Sequence, residues 1–206
     1  MPDTRRRTPR QARSRATVKR ILSAGTRVLE TQGYPDASTN RIATEAGLSP
    51  GSLYQYFPDK EAIVTEITHR LTRDFAAAIA PSLRQAAGQP PAAATRLVLA
   101  ASLHALQSQR DLLGALVDRV PNIEQQQALA SVRRNVGDVV YHVLAANSAQ
   151  LRQADIERAT WTIVELTQQL LVRYVLDQPA IAEQDFLADT THTILSVAFR
   201  DPQRIG

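Results

Sequence analysis

The chain has 206 residues, of which 44% are apolar, so it can bury a sizeable core and is not a wholly disordered protein. It contains no cysteine, which excludes disulfides, thiol catalysis and thiolate metal ligands. No apolar run approaches the roughly 18 residues of a membrane-spanning helix. The N-terminus also lacks the apolar run of a signal peptide, so we expect a cytoplasmic protein with no membrane segment.

The positive charge is concentrated near the N-terminus. Residues 1–60 hold eleven basic and five acidic residues, a net charge of +6, although the whole chain carries only +4. A block of like charges repels itself, so we predict a flexible arm over 1–14 that is attracted to a polyanion. A solubilising tail or a transit-like leader is the alternative. The arginines of this arm are Arg5, Arg6, Arg7, Arg10 and Arg13.

After residue 15 the apolar residues recur with the period of α-helices. A first helix is predicted from the stripe Ile21, Leu22, Gly25, Val28 and Leu29, and it ends at Gly33, which we interpret as a left-handed cap. A second, short helix has Ser38 or Thr39 as its N-cap and stops at Gly47. These two helices are joined by a polar connector.

Ser49 and Pro50 provide the cap and the first-turn proline of a third helix, which Pro58 keeps short. Asp59 caps a long fourth helix, and Pro81 marks its predicted end. The periodicity predicts further helices at about 92–108, 111–119, 122–147, 153–177 and 182–200. Since no alternation of period two appears, the predicted fold is all-α. It comprises an N-terminal three-helix domain over 15–62 and a larger helical bundle over 63–206.

The segment from Thr39 to Lys60, TNRIATEAGLSPGSLYQYFPDK, has the spacing of a helix-turn-helix. Ala43 is small enough to let the second helix of the motif approach, Gly47 can adopt a positive φ at the turn, and Leu53 faces inward. The outward face of the second helix is free of acidic residues and rich in small or hydrogen-bonding groups, which suits the major groove of DNA. The groups on the outward face of the second helix are Ser49, Ser52, Gln55, Tyr56 and, at its edge, Tyr54.

Two runs, IATEAGLS over 42–49 and LYQYFPDKE over 53–61, resemble the DNA-binding domain of the tetracycline-repressor (TetR) family. The resemblance covers roughly residues 15–65. It implies a two-domain, all-α homodimer that represses transcription until a small effector binds the C-terminal domain. It also implies that coupling runs through the helix at 59–80. The expected partner is double-stranded DNA with a near-palindromic operator, because the dimer has two-fold symmetry.

The resemblance also implies individual DNA contacts. Thr39 would cap the first helix of the motif and bind a phosphate, and Asn40 beside it would reach a base edge or the backbone. Tyr54 and Tyr56 correspond to a phosphate-binding aromatic pair, for which plain packing is the alternative, and Lys60 to a phosphate-binding lysine. Gln55 could pair bidentately with adenine. The base-facing positions of the family correspond to Pro50, Gly51, Ser52 and Gln55. The basic arm would follow the backbone or enter the adjacent minor groove.

The two predicted helices at 153–177 and 182–200 carry apolar residues on nearly every side, which predicts that a second copy of the chain covers one face. A monomer with both helices in its core is the alternative. We expect an effector cavity between the helix at 59–80 and those at 92–147 and 153–177. Its candidate lining residues are His104, Gln107, Tyr141, His142, Trp161 and Gln168. A ligand-independent regulator or an activator with the same DNA-binding head remains open.

Enzymatic activity is the competing class of function. The chain has no Gly-x-Ser-x-Gly elbow, phosphate loop or dinucleotide fingerprint. Its four histidines are far apart and lack metal-ligand spacing. We therefore predict a protein that is not an enzyme and that uses neither a cofactor nor a metal.

Overall fold

The computed structural model of the chain describes residues 8–117, 123–152 and 155–201. Within these ranges the secondary structure is helical, apart from one antiparallel bridge between Leu151 and Phe199. The all-α fold predicted from the periodicity is confirmed. No helix in the described part of the chain is long and apolar enough to cross a membrane. The helices are α1 Thr8–Asp36, α2 Thr39–Glu45, α3 Pro50–Tyr54, α4 Lys60–Ala86, α5 Pro91–Gln107, α6 Arg110–Val117, α7 Ile123–Ala146, α8 Ile156–Asp177 and α9 Glu183–Ala198, with a 3-10 turn at Ser148–Gln150.

The chain divides into two compact units. The first contains the described residues of Met1–Arg70 and Asp111–Gln125, and the second those of Leu71–Arg110 and Gln126–Gly206. The division falls within α4, after Arg70 rather than after residue 62, and it places α6 with the first unit. The first unit therefore holds the helix-turn-helix segment, and the second holds α5, α8 and α9.

Apolar residues of α1, α2 and α4 form the core of the first unit. A Cβ atom added to Gly25 of α1 would lie 2.9 Å from Cδ1 of Ile67 and 3.1 Å from Cγ2 of Ile63, both on α4. Cδ1 of Ile42 on α2 would lie 3.9 Å from the same point. Because these isoleucines are buried, the space at Gly25 is closed on all three sides. A residue without a side chain therefore allows the close approach of α1 and α4.

Both ends of α1 differ from the prediction. The helix begins at Thr8, so residues 8–14 are helical rather than part of a flexible arm. Arginine, glutamine and alanine are good helix formers, and Pro9 fits the first turn. At the other end, Gly33 interrupts the helix with a φ of 75° and a ψ of 169°. This conformation is open essentially to glycine alone, and it differs from the predicted left-handed cap, whose ψ is much smaller.

α4 continues through Pro81, where the sequence predicted its end, and stops at Ala86. A proline inside a helix removes one backbone hydrogen bond and costs about 3 kcal/mol. The buried face nevertheless extends across this point through Ile79, Ser82 and Ala86. The hydroxyl of Ser82 donates to the carbonyl of Ile79 at 2.7 Å. Packing of this face outweighs the local preference of the proline.

In the second unit, α5 packs against α8 and α9, which also pack against each other. Tyr174 of α8 stacks on Phe186 of α9 with their ring centroids 3.9 Å apart. The apolar residues of α9 fill the core of its own unit, and the predicted contact of this helix with a second copy stays a prediction. The buried apolar residues of α9 are Phe186, Leu187, Ile194, Leu195 and Ala198. Its exposed side carries mainly polar groups: Asp185, Asp189, His192 and Thr193.

Candidate nucleic-acid interface

α2 begins with a cap at Ser38 rather than at Thr39. Ser38 has the extended backbone of an N-cap, and its Oγ accepts a hydrogen bond from the backbone N–H of Arg41 at 3.3 Å. Thr39 is the first residue of the helix. Its hydroxyl instead lies 3.0 Å from the hydroxyl of Tyr54 at the end of α3. The predicted capping role of Thr39 is therefore wrong, because the backbone of Ser38 fits the cap.

The turn between α2 and α3 has the predicted positive φ at Gly47 and the predicted cap at Ser49. Gly47 has a φ of 63°, and a Cβ atom on it would meet nothing within 4 Å, so backbone conformation rather than space requires glycine. The backbone N–H of Leu48 donates to the carbonyl of Ala43 at 2.9 Å and closes the turn. Ser49 then caps α3 by accepting from the backbone N–H of Ser52 at 3.2 Å. This turn sets the direction in which α3 leaves α2.

Leu53 holds α3 to the first unit and leaves the opposite side of the helix open. Its side chain is fully buried, whereas Pro50, Gly51 and Gln55 are exposed. A Cβ atom on Gly51 would meet nothing within 4 Å, so another molecule can approach the backbone there closely. α3 itself ends at Tyr54, and Gln55 forms its C-cap in helical conformation. The helix is short, as Pro58 predicts, and Gln55 is exposed just beyond its end.

The other residues of α2 and α3 that are predicted to contact DNA differ in how exposed they are. Asn40 is exposed on the first turn of α2. Ser52 is half-buried, and its Oγ lies 2.8 Å from Oγ of Ser49, so its hydroxyl already has a partner. Tyr54 is 51% exposed, whereas Tyr56 is half-buried. Of the two tyrosines, Tyr54 is thus the more accessible to a ligand.

Lys60 is held against α1 at the start of α4. Its Nζ donates to the backbone carbonyl of Tyr34 at 3.2 Å and lies 4.2 Å from the centroid of the Tyr34 ring. The hydroxyl of Tyr34 donates to Oε1 of Glu61 at 3.3 Å. Burial, and then the charge and hydrogen bond of Glu61, raise the pKa of Tyr34 above its ordinary value. Asp59 caps the helix as predicted, its Oδ1 accepting from the N–H of Ala62 at 2.7 Å.

Two arginine side chains, Arg27 and Arg41, fasten α2 to α1. Nε of Arg27 lies 2.7 Å from Oε1 of Glu45, near the C-terminal end of α2. Nη1 of Arg41 donates to Oε1 of Gln32 at 2.8 Å and to the carbonyl of Asp36 at 2.7 Å. The side chains of the Arg27–Glu45 pair are substantially exposed, and such pairs contribute at most about 1 kcal/mol to stability. Together these contacts orient the motif against α1.

The basic arm is described only in part. Arg5, Arg6 and Arg7 lie outside the described residues, and so does the side chain of Arg10. Arg13 is exposed on α1. Between Asp3 and Glu30 the sequence has no acidic residue. The N-terminal half of α1 is therefore a positively charged helix.

The predicted effector-binding residues lie mostly at the surface of the second unit. His104, Gln107 and His142 are exposed, Tyr141 is 40% exposed and Trp161 is 66% exposed, while Gln168 is half-buried. Nε2 of Gln107 donates to Oε2 of Glu183 at 3.1 Å. The rings of Tyr141 and His142 meet edge to face at 6.0 Å. Their role in binding an effector stays a prediction. In the described ranges, no three histidine or acidic side chains cluster as metal ligands.

α8 carries apolar residues on two sides, as predicted. Ile163 and Leu171 are buried against the rest of the second unit. Trp161 and the half-buried Val172 and Leu176 recur at helical spacing on the other side. On this side, which we call the outer face of α8, the described residues leave Trp161 66% exposed and Val172 and Leu176 only half-buried.

Two family models match the chain. The model for bacterial regulatory proteins of the tetR family matches residues 21–67, and the tetracycline repressor-like C-terminal domain matches residues 90–196, more than half of the chain. A curated relative, the HTH-type transcriptional regulator TtgW of Pseudomonas putida, is 35% identical over 68 residues. These residues are 31% of this chain and 51% of TtgW, so the match spans about half of that relative.

Solved structures share the fold over nearly the whole chain. A tetR-family transcriptional regulator from Streptomyces coelicolor has a TM-score of 0.72 and 16% identity, and the match covers 89% of this chain and 80% of that one. NalD, the secondary repressor of the MexAB-OprM multidrug efflux pump in Pseudomonas aeruginosa, has a TM-score of 0.65 and 17% identity. That match covers 92% of this chain and 98% of NalD.

Proposed function

Since the chain belongs to the TetR family of bacterial regulatory proteins, we propose that it binds double-stranded DNA through α2 and α3 and thereby regulates transcription. The observation that carries the proposal is the open, acid-free side of α3, which buried Leu53 and the Ser49 cap hold in place. Members of this family are regulators and not enzymes, in agreement with the prediction from the sequence. The proposed place of action is the cytoplasm, where a bacterial operator is found.

Base reading and phosphate binding fall to different residues in this proposal. Gln55 is exposed at the end of α3, where an amide can pair bidentately with adenine. Thr39 and Tyr54 bring two hydroxyls within 3.0 Å of each other, so both can donate to one phosphate once it replaces their mutual hydrogen bond. Asn40 and Lys60 add contacts at the starts of α2 and α4. The base-facing set remains Pro50, Gly51, Ser52 and Gln55.

The arginines of the N-terminal arm add an interaction that does not depend on sequence. Arg5, Arg6, Arg7, Arg10 and Arg13 would neutralise phosphates beside the site. Each neutralised phosphate releases condensed counterions, so this interaction weakens as salt rises.

We further propose a homodimer in which the outer face of α8 meets a second copy, with the polar side of α9 beside it. The carrying observation is the exposure of Trp161 together with Val172 and Leu176, since apolar side chains of this size gain free energy when buried. A two-fold dimer presents two copies of α3, which favours a near-palindromic operator.

The dimer is tested with the Trp161→Glu variant in sedimentation velocity. We expect the wild type to sediment as a dimer and this variant as a monomer, because the charge cannot be buried without a partner. Val117→Glu, on a residue of the first unit that is 40% exposed, is the matched control and should leave the dimer intact. Because Trp161 is the sole tryptophan, its emission should also shift to shorter wavelength on dimerisation. A dimeric Trp161→Glu variant contradicts the proposed interface.

The proposed mode of regulation is repression that a small molecule relieves by binding the second unit. NalD, which shares the fold, is named a repressor. In the second unit, Oγ1 of Thr160 is buried and has no hydrogen-bond partner among the described residues, and a polar group of a ligand could bond to it. The candidate lining remains His104, Gln107, Tyr141, His142, Trp161 and Gln168. An activator or a ligand-independent regulator would use the same DNA-binding surface.

Fluorescence anisotropy with labelled DNA from upstream of the chain's own gene tests this function. We expect binding that exceeds binding to a shuffled duplex of the same length and composition. Equal affinity for both duplexes contradicts sequence-specific regulation. Repeating the titration with a panel of hydrophobic and cationic compounds tests the effector. Release by one class of compound supports a ligand sensor, whereas indifference to every compound favours the ligand-independent alternative.

A further inference from the structure

Lys60 is restrained before any DNA binds. Its ammonium group contacts two parts of a single residue, the backbone carbonyl of Tyr34 at 3.2 Å and the Tyr34 ring at 4.2 Å from the centroid. We propose that Tyr34 is a positioning residue that fixes the Lys60 ammonium for contact with a DNA phosphate. This inference rests on the proposed function, and it adds to the DNA-binding surface a residue that makes no DNA contact itself.

The two contacts with Tyr34 still leave Lys60 able to bind an anion. An ammonium group has three N–H donors, and the carbonyl of Tyr34 accepts one of them. The face of the ring attracts the positive charge of the ammonium group, and this attraction leaves the other N–H donors available to an anion. A lysine that moves freely in solution loses rotamer freedom when it binds a phosphate. Lys60 has already lost much of that freedom, so its contact with DNA should be tighter than that of a free lysine.

Tyr34 is itself held from both sides. Gly33 precedes it with a backbone conformation open essentially to glycine alone, which sets the direction in which Tyr34 and its carbonyl point. On the other side, the Tyr34 hydroxyl donates to Oε1 of Glu61 at 3.3 Å. Since Glu61 follows Lys60 in α4, the carbonyl and the hydroxyl of Tyr34 both contact the first turn of α4.

The competing explanation is that Tyr34 and Lys60 merely fasten α1 to α4. In that case removal of the ring would destabilise the fold, and any loss of DNA affinity would not depend on the lysine. If Tyr34 positions Lys60, removal of the ring should lower DNA affinity only while the lysine is present. A double-mutant cycle measured on DNA affinity separates the two explanations.

The experiment uses the full chain with Lys60→Met, Tyr34→Leu, Tyr34→Phe and the double variant of Lys60→Met with Tyr34→Leu. Anisotropy gives the Kd at several salt concentrations, and thermal melts report folding. Lys60→Met should reduce the slope of log affinity against log salt by about 0.9, the value for one phosphate contact. Tyr34→Leu should weaken binding about 2- to 5-fold and keep the wild-type slope, because the lysine remains. Tyr34→Phe should lose less affinity than Tyr34→Leu, since it keeps the ring and the backbone carbonyl and loses only the hydrogen bond to Glu61.

The decisive comparison is the effect of Tyr34→Leu in the Lys60→Met background, where we expect no further loss of affinity. An equal loss in both backgrounds overturns the positioning role. If Lys60→Met keeps the wild-type salt slope, Lys60 binds no phosphate, and the positioning role of Tyr34 is also overturned. The proposed function would still stand in that case, provided that the wild type binds its DNA specifically. If Tyr34→Leu does not fold, Tyr34→Phe and Tyr34→Trp carry the test. Each is measured with and without Lys60→Met, and a loss of affinity that is equal in both backgrounds refutes the inference.

Discussion

Gly25 is the position where one added methyl group should most disturb the first unit. In an open helical position, glycine to alanine stabilises by about 1 kcal/mol. The new Cβ would, however, lie 2.9 Å from Cδ1 of Ile67 and 3.1 Å from Cγ2 of Ile63. Overpacking of this kind costs about 1–3 kcal/mol. The Ile67 methyl group has little room to rotate at 2% exposure, and Cγ2 of Ile63 sits on a stiff β-branched carbon. We therefore expect Gly25→Ala to lower the free energy of unfolding by about 1 kcal/mol.

Gly137 offers the matched control, because it also lies within a helix and a Cβ there would meet Cγ2 of Thr160 at an ordinary 3.9 Å. Gly137→Ala should therefore be neutral or stabilise by up to about 1 kcal/mol. Urea unfolding of both variants, followed by circular dichroism at fixed protein concentration, measures the difference. Finding Gly25→Ala as stable as Gly137→Ala would refute the packing argument at the crossing of α1 and α4.

Three further predictions concern the DNA-binding surface. Deletion of residues 1–13 should weaken binding to every duplex and reduce the salt slope by about 0.9 for each lost phosphate contact, without changing sequence preference. Anisotropy at several salt concentrations measures this, and an unchanged slope speaks against the arm. Gln55→Ala should relax discrimination at one or two base pairs by about 1–3 kcal/mol; a binding-site selection that returns the wild-type motif refutes the base-reading role. Ser49→Ala should cost about 1 kcal/mol and Ser49→Gly a few tenths, and thermal melts showing equal losses argue against the cap.

The features that the sequence predicted correctly depend on neighbours within a few residues. The positive φ of Gly47, the caps at Ser49 and Asp59 and the inward position of Leu53 each follow from local backbone geometry or helical period. The same local rules left Ser38 and Thr39 as alternative caps. Only the extended backbone of Ser38 separates them, and that depends on how α1 ends.

The features that escaped prediction depend on contacts between distant parts of the chain. Tyr34 and Lys60 are 26 residues apart, and no period links a residue after Gly33 to the start of α4. Pro81 reads locally as a helix end, yet a buried face carries α4 past it. Trp161 was predicted to line an effector cavity, but in the single chain it is 66% exposed. Hydrophobic patterning identifies a residue that needs covering and does not say whether the same chain covers it.

The most direct test of the account is a selection of random duplexes by the full-length wild-type chain at physiological salt. If two copies of α3 read DNA, the enriched sequences should share a near-palindrome whose half-sites are related by two-fold symmetry. Enrichment of no motif above the starting pool would contradict the claim that this helix reads bases.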